Sequence, residues 1–437
     1  MITPQFSVRQ DDEYVYIDIK VVHLKAQNAE ISAEGDVFWF SLSPYYLRLH
    51  FPGNIVDDDR ASASLDISKS ILNVKFPKET PGEVFPDLDL MTKLLARLDG
   101  SEAPVKKPLI QEIGSTPNDD SEMQDDPADL SEKQKSYIQE MTDAQSFDWQ
   151  IEQEMPDSEE LLTARYGFNL QYSGYLQQTR DIGNDINDLD DPETSTIESR
   201  REERIKKENE KFDPDYYYAD FAGNDEIPAL IAYEPSLIRL AKEVPGTTAE
   251  VEFSEEEKKK MLELPRRTYM IDSMESMRSL YLNLIPIVFA YCYDMRTMMD
   301  DHTSESAWTV GKLAANVACL DSSFPSIQQI KIACLRRALA YPLYRNYDLA
   351  LKCWEDSHLI LRAGKRVVLK ALLDVNHLFA FHDVYYVYSK IVTEDYCSWI
   401  QTANDAVLQS LANDMKNCQT SKEDLSWGLE AIETAAV

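Results

Sequence analysis

Residues that many enzymes depend on are scarce in this 437-residue chain. It has only six histidines, and His377 and His382 lie five positions apart, so they do not share a helix face as an HExxH zinc motif requires. Its 13 glycines form neither a GxGxxG loop nor a GxSxG nucleophile turn. The sequence therefore predicts no catalytic residues, no cofactor and no metal site.

Two short stretches come closest to a chemical motif. Asp300, Asp301 and His302 could together ligate a metal, but no further histidine or cysteine lies nearby in the sequence to complete the site. A polar loop between two helices is the favoured interpretation. The dipeptide at 311–312 (GK) resembles the end of a phosphate-binding loop, but that loop needs glycine at 306 and Ser or Thr at 313. Serine and leucine occupy those positions, so this motif is rejected.

Long apolar runs and paired cysteines are also missing. The six cysteines form no CxxC pair. We interpret them as small apolar residues buried in the core, and the protein as reduced and intracellular. Residues 1–7 lack both a basic start and an apolar run, so no signal peptide is expected. The most apolar window, residues 280–293, contains a proline and is shorter than the ~20 residues that span a bilayer. It predicts a buried core helix.

Positive charge is in short supply. Lysine and arginine number 44 against 77 acidic residues, which gives a net charge of −33. Phosphates repel carboxylates, so we expect no direct binding of nucleic acid and no binding to an anionic membrane. A basic protein is the natural complement of such a chain, although solubility alone would also account for the charge.

Alternation of apolar and polar residues dominates the first ~95 positions. Val15, Ile17 and Ile19 lie on one face of a predicted strand, and Leu72 and Val74 on one face of another. Turn-forming residues separate several such runs. Short strands at this spacing predict an all-β, antiparallel sandwich over residues 1–98.

Composition changes after the sandwich. Residues 99–160 hold 18 acidic and four basic residues together with several prolines, which is typical of a mostly disordered acidic linker. Two short segments of the linker, 108–110 and 147–151, are more apolar than the rest and are candidate docking segments. Residues 161–437 follow with helical periodicity and many tyrosines, so they predict one large all-α domain. No fixed-period repeat indicates a solenoid.

Individual helices are predicted within this all-α region. The segment 200–212 carries mixed charge, with Glu202 facing Lys206 and Glu203 facing Lys207, which favours a solvated helix over a nuclear-import signal. The other predicted helical segments are 270–298, 308–320, 327–340, 347–363, 365–392 in one or two pieces, and 398–417.

Several strings in the sequence resemble one family, in the same order along the chain. In the sandwich they are 43–49 (SPYYLRL), 51–52 (FP), 85–90 (FPDLDL) and 92–97 (TKLLAR). In the helical region they are 165–168 (RYGF), 184–187 (NDIN), 211–217 (KFDPDYY), 305–313 (ESAWTVGKL) and 336–345 (RRALAYPLYR). Together they resemble the Shq-type assembly factors of H/ACA ribonucleoproteins, in a fungal-like form with a CS domain and a Shq-specific helical domain.

The resemblance implies a function. Members of this family bind the H/ACA pseudouridine synthase, dyskerin in animals, before RNA joins it, and cover its RNA-binding surface as an RNA placeholder. It implies residence in the nucleus and cytoplasm, with other H/ACA assembly factors and chaperone machinery as further partners. We expect a monomer, because no heptad run or edge-strand pattern demands more.

Candidate contact residues come from the family-like strings. Partner binding is assigned to Glu305, Trp308, Tyr341, Tyr344 and Arg345, with core packing as the alternative for Trp308 and Tyr341.

Two other functions stay open. One is a general CS-type co-chaperone or scaffold without an RNA-related client, for which a helical region of this size has little use. The other is an enzyme concealed in the helical region.

In the sandwich, Tyr45, Tyr46 and Arg48 could form a surface patch, whereas Leu47 and Leu49 are expected in the core.

Overall fold

A computed structural model describes most of the chain. The described residues are 3–20, 30–42, 45–58, 60–66, 71–95, 164–177, 187–244, 251–267, 269, 271 and 273–435. The predicted linker 99–160, with its two candidate docking segments, lies outside them. Two compact units are present: the first comprises Met1–Gly100 with Glu252–Tyr269, and the second Ser101–Val251 with Met270–Val437. Residues 252–269 thus group with the sandwich, although the predicted boundaries placed them in the helical domain.

The first unit is the predicted β-sandwich. Four strands form one sheet in the order β1-β2-β7-β6, and three form the other in the order β3-β4-β5, with every pairing antiparallel. The strands are β1 (Gln5–Gln10), β2 (Tyr14–Lys20), β3 (Glu30–Glu34), β4 (Val37–Leu42), β5 (Tyr45–His50), β6 (Ser62–Asp66) and β7 (Ile71–Pro77).

Alternation along the strands builds the core between the sheets. Ile17 of β2 lies opposite Val74 of β7, and both are buried. Phe38 of β4 lies opposite Leu49 of β5, and its ring meets Phe76 of the other sheet edge-on, with centroids 5.8 Å apart. Because side chains alternate across a strand, one face of each sheet supplies this core and the other faces outward.

Helices form most of the rest of the described chain. They are α1 (Met91–Leu95), α2 (Ile197–Lys211), α3 (Pro214–Gly223), α4 (Glu226–Ala232), α5 (Ser236–Glu243), α6 (Glu255–Glu263), α7 (Met274–Thr297), α8 (Ser306–Leu313), α9 (Ala315–Ala318), α10 (Ile327–Ala340), α11 (Tyr347–Arg362), α12 (Lys365–Ala380), α13 (Tyr386–Tyr388), α14 (Glu394–Trp399), α15 (Asp405–Asn417) and α16 (Leu429–Thr434).

Helix α7 is the central element of the second unit. Its 24 residues begin after Ser273, whose side chain accepts a hydrogen bond from the backbone N–H of Ser276, and every residue from Leu280 to Thr297 is buried. It packs against α8, α10, α11 and α12. The predicted buried core helix at 280–293 is therefore confirmed. Among the residues that the structure describes, no helix is long and apolar enough to cross a membrane.

The predicted segments 365–392 and 398–417 are both interrupted. Helix α12 ends at Ala380, and a five-residue π-helical turn at Ser389–Thr393 separates α13 from α14. A 3₁₀ turn at Ile400–Thr402 then precedes α15. Two buried polar side chains lie in the π-helical turn, Ser389 and Thr393. Both hydroxyls donate to Oδ1 of Asn376, each at 2.8 Å.

Helix α6 completes the sandwich unit from a distant point in the sequence. A capping box fixes its start: the side chain of Ser254 accepts from the backbone N–H of Glu257, and the side chain of Glu257 accepts from the backbone N–H of Ser254. Its Met261 is fully buried, and the carbonyl of Met261 accepts a hydrogen bond of 2.6 Å from the Thr92 hydroxyl of α1. The sandwich therefore includes a helix that follows it by about 160 positions.

Candidate partner-binding surface

Glu305 directly precedes α8. Its backbone carbonyl accepts the first bond of the helix, from the N–H of Thr309 at 2.9 Å, and its side chain is exposed. Within the described residues its carboxylate has no hydrogen-bond or ion-pair partner. The side chain of Glu305 is therefore available to a partner, although its assignment to partner binding stays a prediction.

Trp308 and Tyr341 line one cavity of about 410 Å³, together with the side chains of Asp188, Lys207 and Lys312. Trp308 is half-buried, and Tyr341 is only 6% exposed. The Tyr341 hydroxyl donates to Oδ2 of Asp188 at 2.9 Å. Core packing thus describes Tyr341, whereas Trp308 presents part of its indole ring to the cavity.

Asp188 organises the wall behind this cavity. Its carboxylate pairs with Lys312 at 2.6 Å and with Arg337 at 2.8 Å. Burial alone would raise the pKa of Asp188, but the two cations outweigh it and hold the pKa below its ordinary value. Lysine 312 lies inside a helix and is engaged by this carboxylate, which agrees with rejecting a phosphate-binding loop.

A second buried ionic cluster joins α2 to α10. Glu208 is fully buried and accepts from Arg204 at 2.9 Å and from Arg336 at 2.7 Å. Arg204 also pairs with Asp321 at 2.7 Å. The prediction of a solvated helix at 200–212 is therefore wrong for one face, because Arg200, Arg204 and Glu208 are all buried.

The ion pairs predicted on that helix also differ from those found. Lys206 lies 3.9 Å from Glu210, and Lys207 lies 3.2 Å from Asp190. Glu203 instead accepts a hydrogen bond from the backbone N–H of Asp190. The tertiary fold brings residues 187–190 beside α2, and these contacts replace the pairs expected within the helix.

Tyr344 and Arg345 lie in the loop between α10 and α11 and contact a different part of the unit. The Tyr344 hydroxyl donates to Glu226 of α4 at 2.6 Å, and this bond raises the pKa of Tyr344 to about 12. The backbone N–H of Arg345 donates to Asp220 at 2.7 Å, and its guanidinium lies 4.7 Å from the ring centroid of Tyr216. Both residues are half-buried.

Exposed apolar and aromatic side chains accumulate at this second location. Leu343 is 76% exposed and Tyr216 is 62% exposed. Such exposure of large side chains, next to carboxylates and a cation, is typical of an interaction site. We define the Tyr216 surface as Tyr216, Asp220, Glu226, Leu343, Tyr344 and Arg345. Sequence reasoning found its last two members, but Tyr216 and Leu343 could be recognised only from their exposure in the fold.

The sandwich residues lie as expected. Leu47 and Leu49 are buried, whereas Tyr46 and Arg48 are exposed and Tyr45 is half-buried.

The possible metal ligands at 300–302 have structural partners. Asp300 accepts from the Tyr233 hydroxyl and from the N–H of Ser236, each at 2.8 Å, and His302 contacts Asp294 at 2.8 Å. Across the described part of the chain, no group of three or more His, Cys, Asp or Glu side chains is arranged to hold a metal ion. Five cysteines are buried and Cys418 is half-buried, with no disulfide among them.

Comparison with known proteins identifies the two regions. A family model described as "SHQ1-like, CS domain" matches residues 3–95, and one described as "SHQ1 protein, Shq1 domain" matches residues 242–429. Protein shq1 of Schizosaccharomyces pombe is 46% identical over 437 residues, covering 99% of this chain and 96% of that protein. The chain belongs to the SHQ1 family.

More distant relatives span the same length of this chain. The SHQ1 homologs of Xenopus tropicalis and Mus musculus are 35% and 34% identical, and each match covers the whole chain and 70% and 75% of the relative. Family membership supports a role as an assembly factor for H/ACA ribonucleoproteins. Neither family description names a catalytic activity. The Shq1 family model also includes α6, which the structure groups with the sandwich.

Proposed function

We propose that this SHQ1-family chain binds the H/ACA pseudouridine synthase, of the dyskerin type, before RNA joins it, and covers the enzyme's RNA-binding surface during assembly. The observation that carries the proposal beyond family membership is the Tyr216 surface, where exposed tyrosine and leucine side chains stand beside carboxylates.

Charge and exposed apolar side chains both support this client. A protein surface that binds RNA is rich in lysine and arginine, and its cations need compensation until phosphates arrive. A chain of net charge −33 attracts such a surface over a long range. Exposed Tyr216 and Leu343 add apolar contact area, and tyrosine can also pack against guanidinium groups. Binding of this kind and binding of RNA exclude each other when they use the same surface.

The setting of this activity is part of the proposal. The chain acts as a monomer in the nucleus and cytoplasm, and other H/ACA assembly factors and chaperone machinery meet the complex during assembly. Release of the client follows either competition by RNA or active removal.

Binding of the full chain to purified pseudouridine synthase, with and without competing H/ACA RNA, tests the proposal. We expect a complex that weakens as NaCl rises towards about 0.5 M, since screening reduces charge attraction, and that RNA displaces. A complex that forms equally well with RNA present would contradict the placeholder mechanism and favour a scaffold or general co-chaperone.

Substitutions locate the interface. Tyr216→Ala and Leu343→Ala each remove exposed side chain without opening the core, and each should weaken the client complex about tenfold or more if it lies at the centre of the contact. Tyr46→Ala, a comparable change on the sandwich, is the control and should leave affinity within about twofold. Unchanged affinity in both Tyr216→Ala and Leu343→Ala would remove the Tyr216 surface from the interface.

A further inference from the structure

The cavity beside Trp308 has no part in the client contact proposed above, which uses the Tyr216 surface. Two lysines of α2, Lys207 and Lys211, line it and lie four positions apart, so their side chains share one face of the helix. Lys207 pairs with Asp190, whereas the exposed ammonium of Lys211 has no partner among the described residues. The cavity therefore offers positive charge to a ligand, although the chain as a whole is acidic.

A third lysine, Lys312, lies in the wall of the same cavity. Its side chain is 9% exposed, and its ammonium donates to Oδ1 of Asp188 at 2.6 Å. An ammonium carries three N–H donors, and the described part of the chain supplies no second acceptor for this one. Burial lowers the pKa of Lys312 even though Asp188 opposes the shift. Asp188, which Lys312 shares with Arg337, thus leaves this cation only partly compensated.

The charges behind the cavity do not balance. Arg337 lies 2.8 Å from Asp188 and 3.7 Å from Glu208, so the two buried ionic clusters form one network. Its cations are Arg204, Lys312, Arg336 and Arg337, and its carboxylates are Asp188, Glu208 and Asp321. Among the described residues, four positive charges thus face three negative ones, and none of these side chains is more than 9% exposed. Because Lys312 lines the cavity, an anion bound there approaches this excess positive charge.

Trp308 gives the cavity an apolar wall. Its indole is half-buried, and within the described residues its Nε1–H has no acceptor. Indole N–H groups usually find a partner when they are buried, so a ligand acceptor is suited to this position. Glu210 is the opposing charge among the lining residues, and Lys206 at 3.9 Å partly offsets it.

We propose that this cavity binds a glutamate or aspartate side chain that a partner protein carries next to a leucine or another apolar residue. The carboxylate pairs with the lysines, and the apolar neighbour packs on Trp308. A volume of about 410 Å³ accommodates two adjacent side chains. The rest of the chain repels an anion only at long range, where charges farther apart than about 8 Å are largely screened at physiological ionic strength.

A nucleotide suits this cavity less well than an acidic side chain. Phosphates are usually held by backbone N–H groups at glycine-rich turns or helix N-termini, and by arginine forks. Among the described residues that line the cavity there is neither a glycine nor an arginine. Lys207 and Lys211 lie at the C-terminal end of α2, whose partial negative charge repels a phosphate dianion more than a carboxylate.

Calorimetric titration of the full chain with acetyl-Gly-Leu-Glu-Gly-amide tests the proposal. The matched peptide with glutamine in place of glutamate keeps the shape and loses the charge, and it should bind at least about tenfold more weakly, because hydrogen bonds to a charged group are the stronger ones. Propionate, which lacks the apolar neighbour, should also bind more weakly. Tighter binding of AMP than of the glutamate peptide would overturn the assignment to a protein segment, and no binding of the glutamate peptide would overturn the site.

Two substitutions place the binding at this cavity. Lys312→Met keeps the length of the side chain and removes the buried cation, so it should abolish binding of the glutamate peptide. Lys211→Gln removes one charge at an exposed position and should weaken binding about fivefold, which keeps the test decisive if the methionine variant does not fold. The control Lys416→Gln changes an exposed lysine of α15 and should leave affinity within about twofold.

Equal affinity of the three variants would show that the peptide binds elsewhere and would refute the proposal. None of these titrations involves a pseudouridine synthase, so their outcome is independent of the proposed function.

Discussion

Replacing Asp188 by asparagine removes the negative charge of a buried carboxylate that pairs with two cations of the second unit. Its side chain is 7% exposed and pairs with Lys312 and Arg337, and it also accepts from the Tyr341 hydroxyl. Its own N–H donates to the carbonyl of Ala318 at 2.7 Å, so the backbone at this point is held as well. Asparagine has nearly the same size, and therefore the substitution tests charge rather than packing.

The expected loss of stability is large. Removing one partner of a buried ion pair costs about 3–5 kcal/mol, because the remaining charge stays buried and uncompensated. Two cations lose this carboxylate, but Arg337 keeps Glu208 at 3.7 Å, and the asparagine oxygen still accepts from one of the two cations. We therefore expect Asp188→Asn to lower the free energy of unfolding by about 3 kcal/mol, the lower end of that range. At a urea dependence of about 3 kcal/mol per molar, the midpoint falls by about 1 M.

Urea unfolding followed by tryptophan fluorescence measures the change, since Trp308 lines the same cavity as Asp188. Asp190→Asn is the matched control, because the side chain of Asp190 is 80% exposed and its ion pair among the described residues is with Lys207, so the substitution should cost less than about 1 kcal/mol. Equal midpoints for the two variants would refute the view that the Asp188 cluster stabilises the fold.

The same comparison has a pH dependence of known sign. The pKa of Asp188 lies below the ~3.9 of an unfolded aspartate, so its contribution to stability is fully present above that pH. It is lost as pH falls through the lower, folded-state pKa. The difference between wild type and Asp188→Asn should therefore be constant from about pH 7 to pH 5 and shrink below about pH 4. A difference that grows in acid would contradict the assignment.

Three further outcomes are expected. Met261→Ala should destabilise the sandwich unit by about 2–5 kcal/mol through the cavity it leaves, whereas Glu256→Ala on the exposed face of α6 should be nearly neutral; hydrogen exchange of the strands measures both. Gly167→Ala should unfold the second unit more readily than Gly174→Ala in a thermal melt. Both glycines have positive φ, but only at 167 would the new Cβ overlap a backbone carbonyl of the π-helical turn. A thiol reagent should modify Cys418 before the other five cysteines in the folded protein, although burial raises the pKa of the Cys418 thiol and slows its reaction; modification of another thiol at the same rate would contradict the burial of the other five.

Local pattern determined much of this protein. Alternation at Val15, Ile17 and Ile19 predicts a strand with one buried face, and the structure confirms it, because the side chains of a strand point to opposite sides whatever the partner strand is. The apolar window at 280–293 likewise predicts a core helix, since a helix apolar all round is stable only when buried. The short strings in the sandwich and in the helical region, taken together in their order along the chain, indicated the family, and the comparisons confirm it.

Only the tertiary structure decided where these elements meet. Asp188 has partners 124 and 149 positions away, and Thr92 bonds to the carbonyl of Met261, which lies 169 positions further along the chain. Helical periodicity says which face of a helix is apolar, but it does not say which distant charge will lie beside a polar residue on that face. For this reason Arg204 and Glu208 were assigned to solvent by sequence and to the core by the fold, where a buried charge must find its counterion through space.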